Sequence, residues 1–188
     1  MSTLLEAPAA LDAPLVIADR ALRSRLMVGT GKYRSNDEMV HAIHASGAEV
    51  VTVAVRRVDL DRSKEDGVLH HLDPEQFLLL PNTAGCYTAE DAIRYARLAR
   101  AAGFTNWVKL EVIGDQETLL PDADATLRAA KELVADGFVV LAYTNDDLIT
   151  ALRLEDAGCA DADVLAHCHG ASPHVRGCWV VDLVLGKE

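Results

Sequence analysis

Basic side chains are scarce in this sequence: 18 Lys and Arg stand against 29 Asp and Glu, for a formal net charge of -11 and a pI near 5.0. So acidic a chain repels phosphate backbones and anionic lipid, which argues against nucleic acid or a membrane surface as its main partner. No apolar run approaches the roughly 20 residues that a bilayer span requires. The first fourteen residues contain no Lys or Arg, which fits neither a secretory signal nor a transit peptide, and they read as a disordered lead. Only four cysteines occur, Cys86, Cys159, Cys168 and Cys178, with no repeated spacing. Without an export signal they read as reduced thiols, and the expected location is cytoplasmic. His167, Cys168, His169, His174 and Cys178 cluster in the sequence, but no C-x-x-C or H-x-x-x-H pair supports zinc, so no metal is expected.

What the chain does have is a regular βα rhythm with one charged interruption. In Asn106 to Asp115, aliphatic residues alternate with Lys109 and Glu111 and a Gly-Asp turn follows, the pattern of a strand. Alternation puts Val108, Leu110 and Val112 on one face and both charges on the other. A Lys and a Glu so placed fit an ion pair on the solvated face of an edge strand. That is the commoner meaning of the pattern; the other is an amine nucleophile with its own proton shuttle, looking into a barrel or cleft. The segment lies mid-chain with strand-helix units on both sides, which argues for a central strand.

Five such units are legible. Arg25 to Gly31 reads as a strand and glycine loop, and Ser35-Asn36-Asp37-Glu38 as a capping box for a helix that stops at Gly47. Glu49 to Val55 is nearly all aliphatic and predicts a strand buried on both faces. Phe77 to Leu80 predicts a third strand, with a helix from Thr88 to Gly103. After the Lys109 strand come a helix over about 122–136, a fifth strand at Phe138 to Tyr143, and a helix capped by Asn145-Asp146-Asp147 that ends at Gly158. This rhythm means a parallel sheet with right-handed crossovers. Arg56, Arg57, Asn82, Thr83, Glu111, Tyr143 and Thr144 all fall toward carboxyl ends of strands, which share one rim in a (β/α)8 barrel. An open doubly wound sheet is the alternative, yet no G-x-G-x-x-G follows the first strand and Gly29-Thr30-Gly31-Lys32 lacks Walker A spacing.

Six stretches carry a resemblance. Leu26 to Tyr33, Val51 to Arg57, Leu79 to Glu90, Trp107 to Asp115, Leu119-Leu120-Pro121-Asp122 and Tyr143 to Asp147 resemble, in order and at matching separations, the bacterial thiazole synthase of thiamine biosynthesis, from about Leu15 to Gly158. The resemblance implies a (β/α)8 TIM barrel and a transferase without a cofactor. It implies that Lys109 forms a Schiff base with 1-deoxy-D-xylulose 5-phosphate and that sulfur arrives from a thiocarboxylated sulfur-carrier protein. Dehydroglycine, supplied by its generating enzyme, contributes the remaining ring atoms, and the family implies a homo-oligomer. An exposed lysine has a pKa of about 10.4, so fewer than roughly one in a thousand is neutral at pH 7, and only the neutral amine attacks a carbonyl. Glu111 accordingly reads as a proton shuttle as well as a counter-ion.

After Gly158 the sequence departs from that family's pattern. A Ser-Pro-Ile-Gly-Ser-Gly-like loop and two further units are expected there. Gly170-Ala171-Ser172-Pro173 and Asp182 echo a phosphate loop and a second carboxylate out of place. Strands begin roughly 25 to 30 residues apart, so eight units need more than about 200 residues. The reading is therefore a lead over 1–14, an incomplete barrel of about five to six βα units over 15–158 and a divergent tail over 159–188, from a frameshifted gene or a shortened natural variant. The alternative function is an inactive remnant that at most binds the sulfur carrier or homologous subunits. Other residues have plain readings: Arg56 and Arg57 bridge loops or steer a phosphate, Cys86 packs, and His70 and His71 are solvated.

Overall fold

A computed structural model describes residues 14–159. A short antiparallel hairpin, β1 (Leu15–Ile17) and β2 (Arg20–Leu22), precedes a five-stranded sheet. That sheet contains β3 (Met27–Gly29), β4 (Val50–Ala54), β5 (Leu78–Asn82), β6 (Trp107–Leu110) and β7 (Val139–Ala142). Helices α1 (Asn36–Ser46), α2 (Ala89–Ala101), α3 (Ala123–Ala135) and α4 (Leu148–Asp156) follow β3, β5, β6 and β7, and a 3-10 turn at Val68–His71 lies between β4 and β5. All neighbouring strands of the sheet are parallel, in the order β3-β4-β5-β6-β7. Sequence order without a reversal is barrel topology; a doubly wound sheet reverses at its switch point. The fold is α/β of the TIM-barrel kind, in the form of partial βα units.

The helix boundaries obey local chemistry. Ser35 Oγ accepts from the Glu38 amide at 3.1 Å, and the Glu38 carboxylate reaches back to the Arg34 amide at 3.1 Å, a reciprocal arrangement close to a capping box. The side chains of Thr88, Asp122 and Asp147 likewise accept from amides in the first turns of α2, α3 and α4. Gly47, at the end of α1, has φ 67°, a left-handed conformation in which any Cβ is strained.

Side-chain alternation divides the sheet into two faces. Val108, Leu110, Val112 and Val140 pack against Ala92, Ala96, Ala129, Ala130 and Leu133 of α2 and α3. The alanines let the helices lie close on the strands. On the opposite face Val50, Leu78, Leu80 and Trp107 pack with Leu15, Ile17 and Leu22 of the hairpin. Val50, Leu78 and Trp107 are each the first residue of a strand, so the hairpin covers the amino-terminal end of that inner face.

Two sequence expectations change. The hairpin is absent from the predicted units, because three-residue strands carry too little periodicity to stand out. The second predicted strand is not buried on both faces: Thr52 and Ala54 of β4 are half-buried, since they line the inner face above the hairpin instead of touching a helix.

Glu49, just before β4, accepts from the amides of Ser24 (3.1 Å) and Arg23 (2.5 Å) and so ties the hairpin's exit to the sheet. These two amides, Ser24 first, hold its carboxyl below the usual glutamate value. A depressed folded-state pKa contributes stability that is present above the unfolded value and lost as pH falls through the folded one. Glu49→Gln is therefore expected to unfold at lower urea than wild type near neutrality, with the gap closing below about pH 4; a gap unchanged in acid contradicts the tie. Leu22, 1% exposed, is expected to cost about 2 to 5 kcal/mol in the same assay as Leu22→Ala.

Candidate functional site

Lys109 and Glu111 sit where β6 emerges from its layer of apolar side chains. Because Val108, Leu110 and Val112 are fully buried against the helices, the residues between them must point to the inner face. Trp107 anchors the same face one step below, on the hairpin. Lys109 Nζ lies 3.2 Å from Glu111 Oε1, with side-chain exposures of 39% and 12%. The amine opens toward solvent from above while its carboxylate partner is shielded. A lysine so placed is accessible to a small molecule and has a proton acceptor within hydrogen-bond range.

Parallel pairing identifies the other occupants of this face. Asn82 pairs with Lys109, Lys109 with Leu141, and Ala54 with Asn82, which places Ala54, Asn82, Lys109 and Leu141 in one lateral row. Asn82 is 8% exposed, and its Oδ1 accepts from the Ala84 amide at 3.2 Å. Tyr143 follows β7 and lies beside the ion pair: Lys109 Nζ is 5.7 Å from its ring centroid, and its hydroxyl donates to the Leu119 carbonyl at 3.1 Å. The loop that carries Leu119 folds back on itself, with the Gly114 amide donating to the Leu120 carbonyl at 2.9 Å. Tyr143 thus pins the loop that follows the lysine strand. Thr144 Oγ1, one residue on, is buried without a hydrogen-bond partner.

Other candidates resolve differently. Arg56 donates to the Gly85 carbonyl and its guanidinium lies 5.4 Å from the Tyr95 ring centroid, so it bridges neighbouring loops; Arg57 is exposed. Cys86 is fully buried, and desolvation pushes its thiol up to about 11, the wrong direction for a sulfur relay. His70 is exposed and His71 half-exposed, on a turn whose Leu69 enters the core. Among the described residues no group of three or more His, Cys, Asp or Glu is arranged to hold a metal ion. The His167 to Cys178 cluster, Gly170 to Pro173 and Asp182 lie outside the described residues. Asn82 and Tyr143 are visible in sequence only as polar strand ends; their approach to Lys109 comes from the register.

A model of the thiazole biosynthesis protein ThiG matches residues 16–176. The chain belongs to the ThiG family. It is 52% identical over 171 residues to the thiazole synthase of Geotalea uraniireducens, covering 91% of this chain and 66% of that protein. It is 50% identical over 174 residues to the thiazole synthase of Myxococcus xanthus, covering 93% and 67%. The chain thus spans about two thirds of the length of these ThiG relatives, and the family match runs past Gly158. Among solved structures, the Amycolatopsis orientalis BexX/CysO complex superposes with a TM-score of 0.65 at 33% identity, covering 79% of this chain and 61% of that one.

Burial of the Cys86 thiol has a direct consequence. With iodoacetamide near neutral pH, the peptide containing Cys86 is expected to stay unmodified in the folded protein while a urea-unfolded control reacts to completion. Rapid labelling in the fold, read by mass spectrometry, contradicts a packing role.

Proposed function

We propose that this chain carries the imine-forming step of thiazole synthase chemistry, with Lys109 as nucleophile and Glu111 as proton shuttle. The observation that carries the reading is the 3.2 Å approach of Lys109 Nζ to Glu111 Oε1 on the inner face of a parallel sheet, in a chain of the ThiG family. In the proposed sequence Glu111 takes a proton from the ammonium, and the neutral amine adds to the ketone of 1-deoxy-D-xylulose 5-phosphate. The carbonyl oxygen is protonated to give a carbinolamine. Return of a proton to its hydroxyl expels water and leaves the Schiff base. Glu111 remains beside the new imine, in position to move the protons of the later tautomerisations. Sulfur from a thiocarboxylated carrier protein and the atoms of dehydroglycine then complete the ring, within a homo-oligomer and in the cytoplasm. The proposal requires no metal or cofactor.

A second reading is binding of the carrier without catalysis, and a separate observation favours the docking half of it. Tyr87, Leu119, Leu120, Leu148 and Ile149 are all exposed, and all lie on loops or helix starts that follow β5, β6 and β7. Apolar side chains gathered on one rim suit a protein partner. The BexX/CysO neighbour, itself a complex of two proteins, supports such a partner for this fold.

Borohydride reduction in the presence of the ketose phosphate distinguishes the two. The expected result is one reduced adduct, on the peptide containing Lys109, absent in Lys109→Ala. Glu111→Gln is expected to slow trapping by about 100-fold or more. A folded chain that yields no adduct favours binding without catalysis.

A further inference from the structure

We propose that Thr83 is the positioning residue of this site: its hydroxyl holds the backbone of Glu111 and thereby sets the carboxylate against the Lys109 amine. The inference rests on the roles proposed for Lys109 and Glu111 and extends them to a residue that does not belong to the inner face.

The case begins with a break in the ladder between β5 and β6. The Thr83 amide donates to the Lys109 carbonyl at 3.2 Å, as parallel pairing requires. The next bond of that ladder would run from the Glu111 amide to the Thr83 carbonyl. That carbonyl instead accepts from the Cys86 amide at 3.1 Å, because the chain turns after β5 toward α2. The Thr83 hydroxyl stands in for it. The Glu111 amide donates to Thr83 Oγ1 at 2.7 Å, and Thr83 Oγ1 donates to the Glu111 carbonyl at 2.8 Å. One hydroxyl therefore clasps both polar backbone groups of one residue, and Thr83 itself is entirely buried, which shields the bonds from solvent on its side. The next backbone contact on this side comes only at Ile113, whose amide donates to the Cys86 carbonyl at 2.8 Å.

The position of the clasp gives it a role in the site. Regular β6 ends at Leu110, so Glu111 lies one residue beyond the strand, where ladder bonds no longer dictate its backbone. Thr83 follows Asn82, whose place in the lateral row with Lys109 puts it on the inner face. By alternation Thr83 belongs to the other face and not to the row that holds Lys109. It acts through the peptide of Glu111. If the hydroxyl is removed, the amide and carbonyl of Glu111 lose their partner and the peptide is free to rotate, which swings the carboxylate away from the amine. Misplacement of a catalytic group by about 1 Å costs on the order of 100-fold in rate.

Thr83→Val keeps the shape and deletes the hydroxyl; Thr83→Ser keeps the hydroxyl. Both are compared with wild type and Glu111→Gln in two assays on the full chain: the rate of borohydride trapping with the ketose phosphate across pH, and acetylation of Lys109 by acetic anhydride across pH, which needs no substrate. Thr83→Val is expected to slow trapping about 100-fold and to move both pH profiles in the same direction as Glu111→Gln, while Thr83→Ser follows wild type. If Thr83→Val does not fold by circular dichroism, Thr83→Ala carries the same expectation. Wild-type profiles in the hydroxyl-free variant overturn the proposal, and so does a Thr83→Ser variant as impaired as the valine. If wild type itself traps no adduct while the acetylation profile still moves with the hydroxyl, the imine reading fails and the positioning role stands.

Discussion

The structure depends on one constraint: in β6 the apolar residues must face α2 and α3, which leaves Lys109 and Glu111 no direction but inward. Val108, Leu110 and Val112 are each fully buried in the cluster built with the two helices. A slip of one residue in register would drive the amine and the carboxylate under those helices and bring the valines and leucine to the inner face. Burying an ammonium and a carboxylate in an alanine-rich layer costs several kcal/mol for each ion even after relaxation. The packing of one face of the strand therefore determines the chemistry of the other.

The inner face is itself graded from end to end. At the amino-terminal end Val50, Leu78 and Trp107 pack on Ile17 and Leu22 of the hairpin. Toward the carboxyl ends come Asn82, Lys109, Glu111 and Tyr143, with the Lys109 side chain open to solvent. Apolar packing is concentrated at one end and polar side chains at the other, the division typical of parallel βα barrels. The hairpin is small, yet Ile17 and Leu22 are each 1% exposed, and burial of a side chain of that size contributes about 1.5 to 3 kcal/mol. Glu49 adds a polar fastening between the hairpin's exit and β4.

The loops after β5 and β6 are joined by backbone contacts as much as by side chains. Thr83 and Cys86 engage Glu111 and Ile113 directly, and Asp122 at the start of α3 donates its amide to the Val112 carbonyl at 2.9 Å. Tyr143 reaches from β7 to Leu119. Contacts from three consecutive βα connections thus fall on the segment from Glu111 to Leu119, with Thr83 alone bonded to Glu111 itself. Glu111 lies one residue past the end of β6, and the Thr83 hydroxyl holds its backbone amide and carbonyl there.

Much of this was legible in the residues alone. Helix starts at Ser35, Thr88, Asp122 and Asp147 were readable because a cap is a local event between a side chain and an amide two or three positions on. The glycines that end helices were readable for the same reason. The shared face of Lys109 and Glu111 followed from alternation, and the six motifs pointed to the family. Other features join residues far apart in the chain, and a one-dimensional pattern cannot state them. The hairpin meets Val50 and Trp107 only after the sheet has formed, and Asn82 reaches Lys109 only through the pairing of β5 with β6. Thr83 looked like one more polar strand end until its hydroxyl was found between the amide and carbonyl of Glu111. The sequence by itself determined the local elements, the parallel rhythm and the shared face of Lys109 and Glu111. Tertiary structure alone decided how closely those two groups approach and which residues surround them, because that depends on strand register and on hydrogen bonds between segments 28 residues apart.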